Sequence, residues 1–116
     1  MSNNPKSLTV HDLKGWLNSN DEKPIIIDVR EDREIGFASL SFVDIYIPIS
    51  KVSFKSVSSI ISKYTNKKFV ILCHRGIRSY NFAQWLIENE LAIEVWNLKE
   101  GIDGWSIHID SRISRY

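Results

Sequence analysis

The chain has 116 residues, of which 43% are hydrophobic and 25% charged, with a formal net charge of +1. That length suits one soluble domain with its own core, and the near-neutral balance excludes a global field that would draw nucleic acid or an anionic membrane. No apolar run approaches the roughly 18 residues needed to span a bilayer, the opening "MSNNPKSL" lacks an apolar signal core, and a single cysteine builds neither an internal disulfide nor a cysteine-based zinc site.

A reducing cytoplasm is therefore the expected compartment. Residues 1–6 are polar and read as a flexible tail, with one domain over 7–116. In "SLTVHDLKGWL", Thr9 followed three residues later by Asp12 resembles a capping box, and Val10, Leu13, Trp16 and Leu17 follow at helical spacing. "IIIDV" (25–29) is a β-branched run expected of a strand buried on both faces. "REDREIGFASLSFVD" reads as a helical turn mixed with loop. "IYIPI" (45–49) reads as a short strand ending near Pro48. Ser50 is expected to cap a helix along "KVSFKSVSSIISKY", with Val57, Ile60, Ile61 and Tyr64 on one face. "FVIL" (69–72) is the next buried strand, followed by a helix starting near Ser79, with Phe82, Ala83, Leu86 and Ile87 inward. "AIEVWNL" gives a further strand and "KEGIDGWSIHID" a Gly-broken turn or helix. Strands alternating with helices predict an α/β domain around a mainly parallel sheet.

The only cysteine, Cys73, falls where a strand ends and a helix begins, the place where open α/β sheets hold ligands. The loop "CHRGIR" supplies several backbone N–H groups, and Gly76 permits a positive φ angle. Amides curled in this way form an anion-binding nest, and the following helix N-terminus adds partial positive charge. His74, Arg75 and Arg78 bring more. Such a setting favours the thiolate and would hold an anionic substrate over the sulfur. Taken alone, a free cysteine after an apolar strand reads as a small buried hydrophobe, and an arginine pair as solvated surface. The combination of strand end, sole cysteine, glycine, two arginines, serine and helix start points instead to a reactive thiol.

"CHRGIRS" resembles the active-site loop of rhodanese-like sulfurtransferases. "IIIDVRE" resembles that family's Asp-Val-Arg-Glu strand, and "VWNLKEGIDGW" resembles its closing Leu-x-Gly-Gly-Ile-x-x-Trp segment. The likeness runs from about Leu8 to the end of the sequence, with the three motifs in the family's order. It implies a three-layer rhodanese-like fold, a central mainly parallel sheet flanked by helices. It also implies that Cys73 attacks the sulfane sulfur of a small anionic donor such as thiosulfate, becomes a persulfide, and passes the sulfur to cyanide or a thiol, with no cofactor. Residues His74, Arg75, Gly76, Ile77, Arg78 and Ser79 would form the substrate cradle, Arg78 and Arg75 drawing in the donor. The alternative is a non-turnover sulfur-relay or regulatory binding module, whose thiol passes sulfur only to a protein partner or merely docks on one, and Cys73 has no second cysteine in the chain to unload it. Related phosphatases space cysteine and arginine as C-x5-R, whereas Cys73 and Arg78 give C-x4-R, a tighter cradle suited to sulfur rather than to a phosphoryl group. Two stretches depart from the family pattern. "GFASLSFVDIYIP" (36–48) lacks the usual histidine but contains Ala38-Ser39, similar to a pair in some single-domain members, and Glu100-Gly101 replaces two glycines.

Asp28 and Arg30, at a strand end, are expected to support the structure as a buried or partly buried ion pair, with Glu31 or another acid as partner. His74 is expected at the entrance rather than as a base, because a thiolate already formed needs none. His11 and His108 lack metal-ligand spacing, so no metal is expected. Trp16, Trp85, Trp96 and Trp105 read as core, and Lys67-Lys68 as a turn into the strand.

Overall fold

The structure, a computed structural model, describes residues 4–116. Ten elements follow in order: β1 (Lys6–Leu8), α1 (Val10–Asn18), β2 (Ile25–Asp28), α2 (Asp32–Phe37), β3 (Ile45–Tyr46), α3 (Phe54–Ile61), β4 (Lys68–Leu72), α4 (Ile77–Glu88), β5 (Glu94–Leu98) and α5 (Gly101–His108). Short 3-10 turns occupy Ile49–Lys51 and Ser62–Tyr64. The five strands form one sheet in the order β1-β5-β4-β2-β3, every neighbouring pair parallel. The mainly parallel α/β architecture expected from the sequence is the one observed. Among the described residues no helix is long and apolar enough to cross a membrane.

Alternation along the strands builds the two halves of the core, since successive side chains point to opposite faces. Ile27, Phe69, Ile71 and Val95 pack with Val57 and Ile61 of α3 and Phe82, Ala83 and Leu86 of α4. Ile26, Val70, Leu72 and Leu98 pack on the other face with Val10 and Leu13 of α1 and Ile102 and Trp105 of α5. Both faces of β2 and β4 are therefore dry, which is why their sequences are nearly continuous apolar runs.

Local signals account for most boundaries. Thr9 and Asp12 form the expected capping box, Thr9 Oγ1 accepting from Asp12 N at 3.0 Å and Asp12 Oδ2 accepting from Thr9 N at 3.2 Å. α3 is capped by Ser53 rather than by Ser50, through a reciprocal pair with Ser56. Ser50 lies in the preceding 3-10 turn, with its N–H and hydroxyl on the Glu31 carboxylate. β3 is only two residues long. Ile47 N still bonds Asp28 O and Ile49 N bonds Val29 O, but Pro48 between them has no N–H to continue the ladder. β1 is the element absent from the sequence reading: Lys6, assigned there to the tail, pairs with Trp96, and only Leu8 of the three residues is buried. Of that tail, residues 1–3 lie outside the described residues. Among the tryptophans Trp105 is buried, whereas Trp16, Trp85 and Trp96 are half-buried at the margins of the core.

Candidate active site

β4 delivers Cys73 to the carboxyl edge of the sheet, one residue past the strand. Its sulfur is buried, with the residue 1% exposed. Gly76 N lies 3.1 Å from Sγ, Ser79 N 3.4 Å and Ser79 Oγ 3.3 Å. The turn that aims these amides needs a left-handed residue at the N-cap of α4, and Gly76 supplies it with φ +95°. A Cβ there would sit 2.2 Å from the Lys99 carbonyl oxygen. The helix begins at Ile77, two residues before the expected start, so Arg78 and Ser79 lie in its first turn.

A second helix N-terminus braces the loop from behind. Ile102 N and Asp103 N of α5 donate to the Cys73 and His74 carbonyls, both at 3.0 Å. Gly101 (φ +63°) permits that approach, since a Cβ on it would lie 2.3 Å from the His74 oxygen and 2.5 Å from the Cys73 oxygen. The closing motif thus holds the cysteine loop by its carbonyls. Glu100, standing where a glycine is usual, accepts from Val10 N at 3.1 Å, tying down the start of α1.

The loop side chains divide. Ile77 and Arg75 are exposed, and Arg75 reaches Asp103 only at 3.9 Å. Asp103 is bound more closely by Arg115, at 2.9 Å. Arg78, expected to face an anionic substrate, instead holds Glu34 of α2 through two parallel bonds of 2.7 and 2.8 Å. That pairing, with smaller help from the Glu31 backbone and Tyr116, holds the Glu34 carboxyl at about 2 and raises Arg78 further above its ordinary value. The positive charge expected at the mouth is thus largely matched by a carboxylate. His74 is half-buried, its ring stacked on Tyr116 at 4.1 Å and 10°. Burial, then the positive charge of Arg75, pushes its ionisation below the ordinary histidine range, so the ring is neutral at neutral pH.

Asp28 and Arg30 form the expected buried ion pair, and they form it with each other. Arg30 Nη2 lies 2.8 Å from Asp28 Oδ2, and Glu31 goes to Ser50 instead. Arg30 also donates to the Ala38 carbonyl at 2.9 Å and to the Tyr116 hydroxyl at 3.1 Å. Its fork therefore fixes the Ala38-Ser39 segment and the end of the chain against α2. Three residues of this region were not singled out from the sequence: Glu34, Asn97 and Tyr116. Asn97 of β5 takes the Ser79 hydroxyl at 2.6 Å and gives its amide to the Gly76 carbonyl at 3.0 Å. Tyr116 gives its hydroxyl to Glu34 at 3.0 Å. The bonds that bring them to the site join positions 18 to 86 residues apart in sequence, so no local pattern announces them.

A buried sulfur ringed by N–H donors, at the carboxyl edge of a parallel sheet, suits a negatively charged sulfur species. Comparisons with known proteins agree with the architecture. The rhodanese-like domain matches residues 9–108. A tRNA uridine(34) hydroxylase of Buchnera aphidicola is 30% identical over 108 residues, covering 88% of this chain and 32% of the relative. An adenylyltransferase and sulfurtransferase, UBA4, of Debaryomyces hansenii is 28% identical over 113 residues, covering 94% of this chain and 25% of the relative. The chain thus spans about a third or a quarter of these relatives. Among solved structures, the single-domain sulfurtransferase RDL2 of Saccharomyces cerevisiae superposes with a TM-score of 0.71 at 18% identity, covering 98% of both chains.

Proposed function

The chain belongs to the rhodanese-like domain family, and from that premise we propose that it is a sulfurtransferase carrying sulfur as a persulfide on Cys73. One observation bears most of the weight: the Cys73 sulfur is buried with Gly76 N and Ser79 N within 3.4 Å, so a negative charge on sulfur has donors waiting for it. With thiosulfate as donor, the Cys73 thiolate attacks the outer sulfur, a new S–S bond forms, and the old one breaks as sulfite leaves with its electron pair. An acceptor then attacks the terminal sulfur of the persulfide. Cyanide leaves as thiocyanate, or a thiol leaves as its own persulfide, and the Cys73 thiolate is restored. Backbone N–H groups of residues 74–79 form the cradle, with the exposed Arg75 meeting an incoming anion and Arg78 tying α4 to α2 through Glu34. The C-x4-R spacing favours this reading over phosphoryl transfer.

A second reading concerns the partner. The Debaryomyces relative is named for adenylyl transfer and sulfur transfer together, and the Buchnera relative for hydroxylation of a tRNA uridine. Within this chain Cys73 is the only cysteine, so its persulfide is unloaded by a molecule outside it. Arg78 is committed to Glu34, which weakens the pull on a small anion. The first fact fits a free enzyme and a relay component alike, and the second favours a sulfur relay in which a cysteine desulfurase loads Cys73 and a protein thiol receives the sulfur.

Intact mass spectrometry of the reduced protein after brief exposure to thiosulfate tests the proposal, with Cys73→Ser as control. The expected result is a gain of one sulfur atom that cyanide removes and the control lacks. Rapid loading by a desulfurase with poor cyanide turnover would select the relay. No gain from thiosulfate, 3-mercaptopyruvate or a desulfurase would refute sulfur transfer.

A further inference from the structure

The hydrogen bonds beneath Cys73 have one consistent direction. The Gly76 carbonyl can only accept, so the Asn97 amide nitrogen is the atom that faces it, at 3.0 Å. Asn97 Oδ1 is then turned to Ser79 Oγ at 2.6 Å, and because that oxygen also only accepts, the single hydroxyl proton of Ser79 lies on this bond. Towards Cys73 Sγ, 3.3 Å away, Ser79 therefore presents lone pairs. Cys73, Ser79 and Asn97 are all buried, so polar groups lost from this set are not readily replaced by bulk water.

A thiol completes the set by donating S–H to Ser79 Oγ. A thiolate meets a lone pair there instead, unless the Ser79 hydroxyl turns to the sulfur and leaves Asn97 Oδ1 unpaired. We propose that Asn97 is a positioning residue that competes with the sulfur anion for the Ser79 hydroxyl proton and so sets how much of Cys73 is thiolate at rest. The inference rests on the reading of Cys73 as the nucleophile. Ionisation sends the thiol proton to solvent and changes no covalent bond at Ser79 or Asn97. When sulfur carries charge, Ser79 becomes a third donor beside Gly76 N and Ser79 N, at the expense of its bond to Asn97. The charged and titratable groups around the loop are Arg78 of α4 with Glu34 of α2, His74 and Arg75 within the loop, Asp103 of α5, and Tyr116 against His74. They are common to every variant compared below.

The test is the rate of alkylation by iodoacetamide at neutral pH, where the sole cysteine makes the product unambiguous. Asn97→Ala should react about fivefold faster than the natural chain, the equivalent of one neutral hydrogen bond released to the sulfur. In a Ser79→Ala background the same Asn97→Ala change should have no effect, because the proton competed for is gone. A slower or unchanged rate for Asn97→Ala, or an equal rise without Ser79, would overturn the proposal; the latter would mean that Asn97 merely tightens the loop. A second measurement does not depend on how Asn97→Ala folds. The infrared S–H stretch of the natural chain should move to higher wavenumber in Ser79→Ala, as the thiol loses its acceptor, and an unmoved band would also overturn the proposal. Neither readout needs a sulfur donor. Failure to form a persulfide would therefore remove the sulfurtransferase reading while leaving these results standing, and the reverse outcome is equally distinguishable.

Discussion

At the cysteine loop, a guanidinium that grips a carboxylate with two nitrogens is a structural tie before it is a substrate contact. Arg78 and Glu34 join α4 to α2 in this way. Arg78→Ala should therefore raise the KM for thiosulfate and also lower stability, and a substrate effect alone would mean that the tie contributes little. The pH dependence has a definite sign. The Glu34 carboxyl falls from 4.5 to about 2 on folding, chiefly through the Arg78 hydrogen bond. A lowered folded value means stability that is complete above 4.5 and is lost as pH falls towards 2. Urea denaturation from neutral pH down to about 3 should show a loss in that window. Glu34→Gln should start less stable and fall less steeply, and an unaltered slope would assign the acid lability to other carboxylates. The pair joins positions 44 residues apart. From sequence both arginines of "CHRGIRS" are expected to draw in the donor, and only the fold separates the exposed Arg75 from the committed Arg78.

Elements legible in the sequence are those whose own residues decide them. β2 and β4 carry β-branched or aromatic runs that make sense only when dry on both faces, and α1 carries its capping box within four residues. β1 had no such mark, since an edge strand of three residues with one buried side chain shows no alternation. It exists because β5 offers it a ladder. The site was legible in the same partial way: the contiguous loop around Cys73 could be read, whereas the brace from α5 depends on how two segments meet. That brace gives a prediction. Gly101→Ala puts a Cβ into the His74 and Cys73 carbonyls at a left-handed φ, and should lose about 2–4 kcal/mol in urea denaturation, combining the left-handed penalty with the repacking cost. Gly15, exposed within α1, has nothing within 4 Å of an added Cβ. Gly15→Ala should instead gain up to about 1 kcal/mol from helix propensity. Equal effects at the two positions would mean that the α5 contact is loose.

Across the whole molecule, the parallel sheet brings segments from the ends of β2 and β4 and the start of α5 to one edge, and the chain's last residues close over them. Ser106 Oγ donates to Ile113 O at 2.6 Å and Arg115 reaches Asp103, fixing the path that ends at Tyr116. The Tyr116 hydroxyl lies between Arg30 and Glu34, and its ring stacks on His74 and, at 6.0 Å, on Phe37. Hydroxyl and ring can be separated experimentally. Tyr116→Phe keeps the stack but removes two charge-assisted hydrogen bonds, and should cost about 1–3 kcal/mol. Tyr116→Ala should cost more and also uncover His74. Burial leads the causes that hold His74 below its ordinary 6.5, so the folded chain resists protonating it and this contribution to stability weakens as pH falls below 6.5. A proton NMR titration of the ring should therefore show its midpoint moving up towards 6.5 in Tyr116→Ala and staying low in Tyr116→Phe. A shift in both variants would put the control in the hydroxyl network, and a shift in neither would mean that the loop itself buries the ring. Only the expected split makes the stacked ring of Tyr116 the cover that keeps a neutral imidazole beside the cysteine.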